Sequence, residues 1–238
     1  MNYDNPAARL LALLQNGKRL ERSTTCRTAW TEILDSNGSE ALLMSRLGKV
    51  MELPQAAVTA LQELYPTEDA TWAHWQNQIV TAFASQQLHG PWQTFIDHID
   101  DHTITYLKLS ATLLQQRTTT KMVAGEDLRA IREELEKIVG DVLDSDQPAE
   151  IKKYLGRHLR KIIVSIDEYR LTGALPLLDS LESTLGHAAL DKQYASFLTD
   201  HEIGRRVLDN LYAMANVITV AVGLTQISQA AALLLGTR

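Results

Sequence analysis

Apolar residues recur along this chain at separations of three and four, the period of an amphipathic helix, and no segment alternates as a half-buried strand would. Asn5-Pro6 reads as a helix cap followed by proline at the first helical position, ahead of the apolar face Leu10, Leu11, Leu13 and Leu14. Thr24 or Thr25 starts a second helix through Trp30, Ile33 and Leu34, which closes at Asn37-Gly38. Ser39-Glu40 opens a third, to about Leu53. Pro54 opens a fourth, with Val58, Leu61 and Leu64, stopped by Pro66. Thr67 or Thr71 begins a helix containing Trp72, Trp75, Ile79 and Phe83, closed by Gly90-Pro91. A long helix is then expected from about Trp92 to Gln116.

Arg117 to Gly125, RTTTKMVAG, interrupts the pattern with poor helix formers and a closing glycine. It places a linker at 118–125, between an N-terminal helical domain, 1–117, and a second helical subdomain, 126–207. Within the second, Glu126 to about Leu143 is a charged amphipathic helix, and Asp144-Ser145-Asp146-Gln147-Pro148 breaks the chain. A basic helix follows over 148–171, ended by Gly173, then a helix from Ala174 to Leu185 ended by Gly186. The last helical pattern begins near Asp191, with Gly204 dividing it from a tail, 208–237. The expected fold is an all-α multi-helix bundle with a long uncharged C-terminal helix.

That tail changes the picture most, because no charged residue occurs from Asn210 to Thr237. At about 1.5 Å of rise per residue, roughly 20 apolar residues cross the hydrocarbon core, so it is a candidate transmembrane helix. Asp209, Tyr212, Asn216, Thr219, Gly223 and Gln226 step by three and four and form a polar stripe. Leu211, Met214, Ile218, Ala221, Val222 and Ala232 lie opposite. A single spanning helix satisfies such a stripe only by self-association, which implies a homo-oligomer with the stripe as pore lining or oligomer interface. Arg205 and Arg206 precede the span and only Arg238 follows it. That asymmetry puts the large domain in the cytoplasm, with the tail in a bacterial inner membrane. The competing reading is a core helix of a soluble cytoplasmic bundle, with the stripe turned outward.

Charge and chemistry narrow the rest. The net charge of −6 over 238 residues argues against wholesale coating of nucleic acid. Cys26 stands alone, which rules out an internal disulfide and fits a buried thiol. Lys152 and Lys153 open the basic helix. Lys153, Arg157, Arg160 and Lys161 share one of its faces, opposite Ile151, Leu155, Leu159, Ile162 and Ile166. Such a face binds phosphates, a nucleotide or single-stranded oligonucleotide, or anionic lipid heads. Alternatively it pairs with Glu126–Asp146, which holds eight acids against three bases. In DHIDDH, His98 and His102 stand one helical turn apart and could share a metal, although no third ligand is nominated. There is no Gly-rich phosphate loop, G-x-S-x-G elbow or cysteine pair, so neither an enzyme nor a cofactor is expected. Trp72, Trp75 and Trp92 are expected in a core rather than stacked on bases.

A helical body, a basic helix around Lys153–Lys161 and a polar-striped tail over Asn216–Gln226 together resemble the layout of bacterial membrane effectors of anti-phage abortive-infection systems, such as the membrane component of the Hailong defence system. The resemblance implies a channel-forming effector held in check by a nucleotide-derived ligand and partnered by a nucleotidyltransferase. The basic face would then contact the ligand and the stripe would line the pore. The expected function is a non-enzymatic defence effector with a cytoplasmic sensor and an oligomeric membrane helix. The alternative is a soluble helical interaction module: an antitoxin, immunity protein or adaptor.

Overall fold

The computed structural model describes residues 4–117 and 121–222, with Asp69 and Val222 described by their backbones only. All of the regular structure described is helical. The chain divides into two units, 1–120 and 121–238.

In the first unit the helices are α1 (Pro6–Gly17), α2 (Cys26–Ile33), α3 (Glu40–Leu64), α4 (Asp69–Ser85), α5 (Gln93–Ile96) and α6 (Asp101–Arg117). α1 lies against α3 and α6, and α4 against the same two. Local chemistry sets three of the starts. Asn5 Oδ1 accepts the Ala8 N–H at 2.9 Å, Thr25 Oγ1 that of Thr28 at 3.1 Å, and Ser39 Oγ that of Leu42 at 3.4 Å. Each satisfies an orphan donor of a first turn, a contribution of about 1 kcal/mol. Asn37 and Gly38, both at positive φ, form the turn after α2, as their residue types predict. The buried Arg46 holds that turn, donating to the carbonyls of Leu34 at 2.7 Å and Asp35 at 2.6 Å.

Two expected boundaries in this unit are corrected. Pro54 does not open a helix, because α3 runs straight through it. Leu43, Leu47, Val50, Pro54, Ala57, Val58 and Leu61 form one unbroken buried stripe, whose packing offsets the roughly 3 kcal/mol that an interior proline costs. Conversely, the expected helix from Trp92 to Gln116 is two helices. Asp100 Oδ1 accepts the Thr103 N–H at 2.6 Å and so starts α6 afresh.

The second unit holds α7 (Gly125–Asp144), α8 (Ala149–Asp167), α9 (Tyr169–Thr172), α10 (Leu175–Leu190), α11 (Lys192–Asp200) and α12 (Glu202–Val222). α7 packs on α8 and α12, and α10 on α8 and α11. Lys121 to Ala124 is fastened to this unit: the Lys121 N–H donates to the Ala221 carbonyl at 2.7 Å and the Val123 N–H to the Tyr169 hydroxyl at 2.9 Å. Residues 118–120 of the expected linker lie outside the described residues. Gly186 does not end α10, which continues to Leu190. The last break falls at His201 rather than at Gly204. Gly204 instead serves the corner between α11 and α12, where a Cβ would sit 1.9 Å from the Phe197 carbonyl oxygen.

The expected long uncharged C-terminal helix is also corrected. α12 opens with Glu202, Arg205, Arg206 and Asp209, and its apolar side is spent inside the unit. Val207, Leu211, Met214, Ala215 and Ile218 are fully buried with Leu135 and Ile138 of α7 and Leu155 and Leu159 of α8. Among the described residues no helix is long and apolar enough to cross a membrane. The rest of the expected tail, 223–237, lies outside the described residues.

Candidate functional site

α8 carries five cations, Lys152, Lys153, Arg157, Arg160 and Lys161. Ile151, Leu155, Leu159, Ile162 and Ile166 are buried and fix the rotation of the helix, which turns Lys153, Arg157, Arg160 and Lys161 to solvent. Lys152 is half-buried and donates to the Leu143 carbonyl at 3.1 Å, at the end of α7. Val164, 51% exposed, continues the stripe toward the helix end. Leu143, 42% exposed, lies over Gly156, between Lys153 and Arg157, close enough that a Cβ there would stand 3.7 Å from its Cδ2.

Three acids of α7, Glu134, Glu136 and Asp141, are engaged elsewhere. Glu134 and Asp141 both accept from Arg206 of α12, at 2.7 and 2.5 Å, and Glu134 also faces Lys137 at 3.4 Å. The Arg206 hydrogen bond holds the Glu134 carboxyl below its ordinary pKa, and the Glu134 and Asp141 hydrogen bonds raise that of Arg206. Arg132 bonds Asp167 at 2.5 Å and Glu136 at 3.1 Å. Among the described residues Lys153, Arg157, Arg160 and Lys161 make no ion pair with them.

Beside the cationic face is a ring stack that the sequence did not reveal as a unit. Tyr154 is sandwiched between His158, at 4.1 Å between ring centroids, and His187, at 3.8 Å, with Tyr194 edge-on at 5.1 Å. The tyrosine hydroxyls donate to the Ser183 and Thr184 carbonyls of α10. Burial chiefly, then Arg157, Lys161 and His187, push the His158 pKa down, and its Nδ1 is buried without a partner. Burial raises the pKa of both tyrosines. Tyr154 and His158 stand four apart on one helix and are legible as a pair; His187 and Tyr194 come from other helices. A groove of about 520 Å³, lined by Pro148, Ile151, Lys192, Phe197 and His201 among others, opens at the α8 end nearest α11, on the side of the helix that Ile151 faces and away from the cations.

No protein-family model matches this chain, and no curated protein and no solved structure matches it.

The remaining candidates are placed as follows. On α12, Asp209 and Tyr212 are exposed, and Asn216 and Thr219 are half-buried. Gly223 and Gln226 lie outside the described residues. His98 falls in the break between α5 and α6 and His102 on α6, so they are not successive turns of one helix. His74 instead bonds Asp100 at 3.2 Å. Burial works against the Asp100 carboxylate, but the Thr103 N–H and His74 together bring its pKa down to about 2. Among the described residues no group of three or more His, Cys, Asp or Glu is placed to hold a metal. Trp72, Trp75 and Trp92 are all buried in the first unit's core, and so is Cys26.

With no spanning helix described, the membrane-effector resemblance, the pore or anchor and the inner-membrane placement are withdrawn. The homo-oligomer goes with them, since it followed from the need of a striped spanning helix to pair with itself. The nucleotidyltransferase partner and the nucleotide or single-stranded oligonucleotide ligand, which the resemblance implied, lose their support in the same way.

Proposed function

We propose that this protein is a helical adaptor, a module that acts by binding a partner protein through the outer face of α8 rather than by catalysis. One observation carries the reading: four exposed cations occupy a single face, although the neighbouring helix is rich in acids that bond other bases. An isolated concentration of unpaired like charge raises the electrostatic free energy of the fold, and a complementary partner relieves it while steering encounter. The buried, apolar underside of α8 fixes the backbone that carries the charges, so little backbone entropy is lost on binding. The double charge reversal Arg157→Glu/Lys161→Glu tests this. Partner recovery in cells, by crosslinking to the tagged full chain, is expected to be lost while the unfolding midpoint stays unchanged. Recovery that survives the reversal removes the reading.

A further inference from the structure

We infer that the occupant of the α8 face is an acidic amphipathic helix of the partner protein, an inference that rests on the docking reading above. Lys153, Arg157, Arg160 and Lys161 recur at every turn over a rise of about 12 Å. A helix laid along α8 repeats its own side chains at the same pitch, so carboxylates spaced by three and four meet a cation at each turn. The surface is also narrow. α8 packs against α7 and α10, and α10 exposes Asp179 and Glu182 to solvent. A polyanion extending beyond one helix width would meet like charge there, whereas a single acidic helix would not. Finally, Leu143 beside Gly156 and Val164 beyond Lys161 put exposed aliphatic surface along the cationic stretch. Apolar residues flanking an acidic stripe would cover them. Among the described residues the rings beside the face, Tyr154 and His158, are half-buried and stacked on each other rather than free to stack with bases.

The test uses the full chain and three labelled probes: a helical peptide with glutamates spaced four, three and four and a leucine at each end; a helical peptide of the same composition with the glutamates distributed around the helix; and an oligothymidylate. Fluorescence anisotropy is expected to show the first binding best, about tenfold tighter than the second, with affinity falling as salt rises. Arg157→Glu/Lys161→Glu is expected to weaken it about tenfold or more, and the milder Lys153→Gln/Arg160→Gln serves if the reversal lowers the unfolding midpoint. Equal binding of the two peptides, with both still lost on reversal, overturns the helix but leaves the docking face standing. Oligothymidylate displacing the first peptide overturns the inference in favour of a nucleic-acid partner. Peptide binding indifferent to both substitutions overturns the inference and the docking reading together.

Discussion

Residues 4–117 close around four tryptophans, whereas residues 121–222 contain none and are held by aliphatic layers, guanidinium–carboxylate pairs and the ring stack around Tyr154. In the first unit Trp30 meets Trp92 edge-on at 5.1 Å and Phe95 at 5.0 Å, and Trp92 lies over Phe95 at 4.8 Å. Most of these indoles are tied as well: Trp92 Nε1 donates to the Gly17 carbonyl at 2.9 Å, Trp30 Nε1 to Gln86 at 2.8 Å and Trp75 Nε1 to Ser110 at 3.2 Å. Large rings with a directional donor fix a packing arrangement. The second unit relies on Leu, Ile and Val, with its guanidinium–carboxylate pairs on the exposed rim. The lesson is where each is vulnerable. The first unit is sensitive to lost volume, the second to added volume, to pH and to charge.

The largest effect is expected from Trp92→Ala, which empties the centre of the first core and leaves the Gly17 carbonyl with only the Leu20 N–H as donor. A loss of about 4 kcal/mol in urea unfolding is expected. A loss under about 1 kcal/mol would show that the ring cluster does not organise this unit. Gly204→Ala follows, at about 3 kcal/mol, because the added methyl meets backbone that cannot move aside as a side chain would. Helical circular dichroism should then report early melting, while tryptophan fluorescence, confined to the first unit, stays put. A shift of both signals would break the separation of the two units.

Acid should separate them next. His158 has a folded pKa below its ordinary 6.5, so the unfolded chain binds the proton first. The second unit therefore loses stability as pH falls below about 6.5, and the loss continues until the folded pKa is passed. Asp100 works at lower pH in the first unit: its folded value of about 2 against 3.8 gives stability present above 3.8 and lost as pH falls through about 2. Between pH 6 and 4.5 the non-tryptophan signal should weaken first, and His158→Gln should flatten that slope. An unchanged slope would remove His158 as its source. The smallest effect is expected from Arg206→Ala, under about 1 kcal/mol, because its pairs with Glu134 and Asp141 are more than a third exposed. Raised salt should shrink it further, and a salt-independent loss would point to lost packing of the arginine stem instead.

Much of the fold was legible in local order. The all-α architecture follows from the three-and-four period, and Asn5, Thr25 and Ser39 stand as caps because their bonds reach only three residues ahead. Pro54 was misleading although the apolar stripe on either side of it keeps phase, a signal stronger than the proline itself. The one-turn spacing in DHIDDH misled in the opposite direction, since Asp100 caps a new helix between the two histidines. For the candidate surface, the face of α8 can be read from the residues, but the employment of the acids of α7 cannot. Arg206 reaches Glu134 and Asp141 across more than sixty residues of chain.

By itself the sequence determined that this chain forms helices, where several of them begin, and that one carries a cationic face. Those properties rest on interactions within a turn or two, which composition and spacing encode directly. Only the tertiary structure decided what the apolar side of α12 is for. A helix face that is apolar reads the same whether lipid or protein covers it, and here Leu211, Met214 and Ile218 are buried on a helix that packs against α7, α10 and α11. The same holds for charge: sequence counts acids and bases, but the distances between them, and so which cations are left for a partner, exist only once the helices have packed.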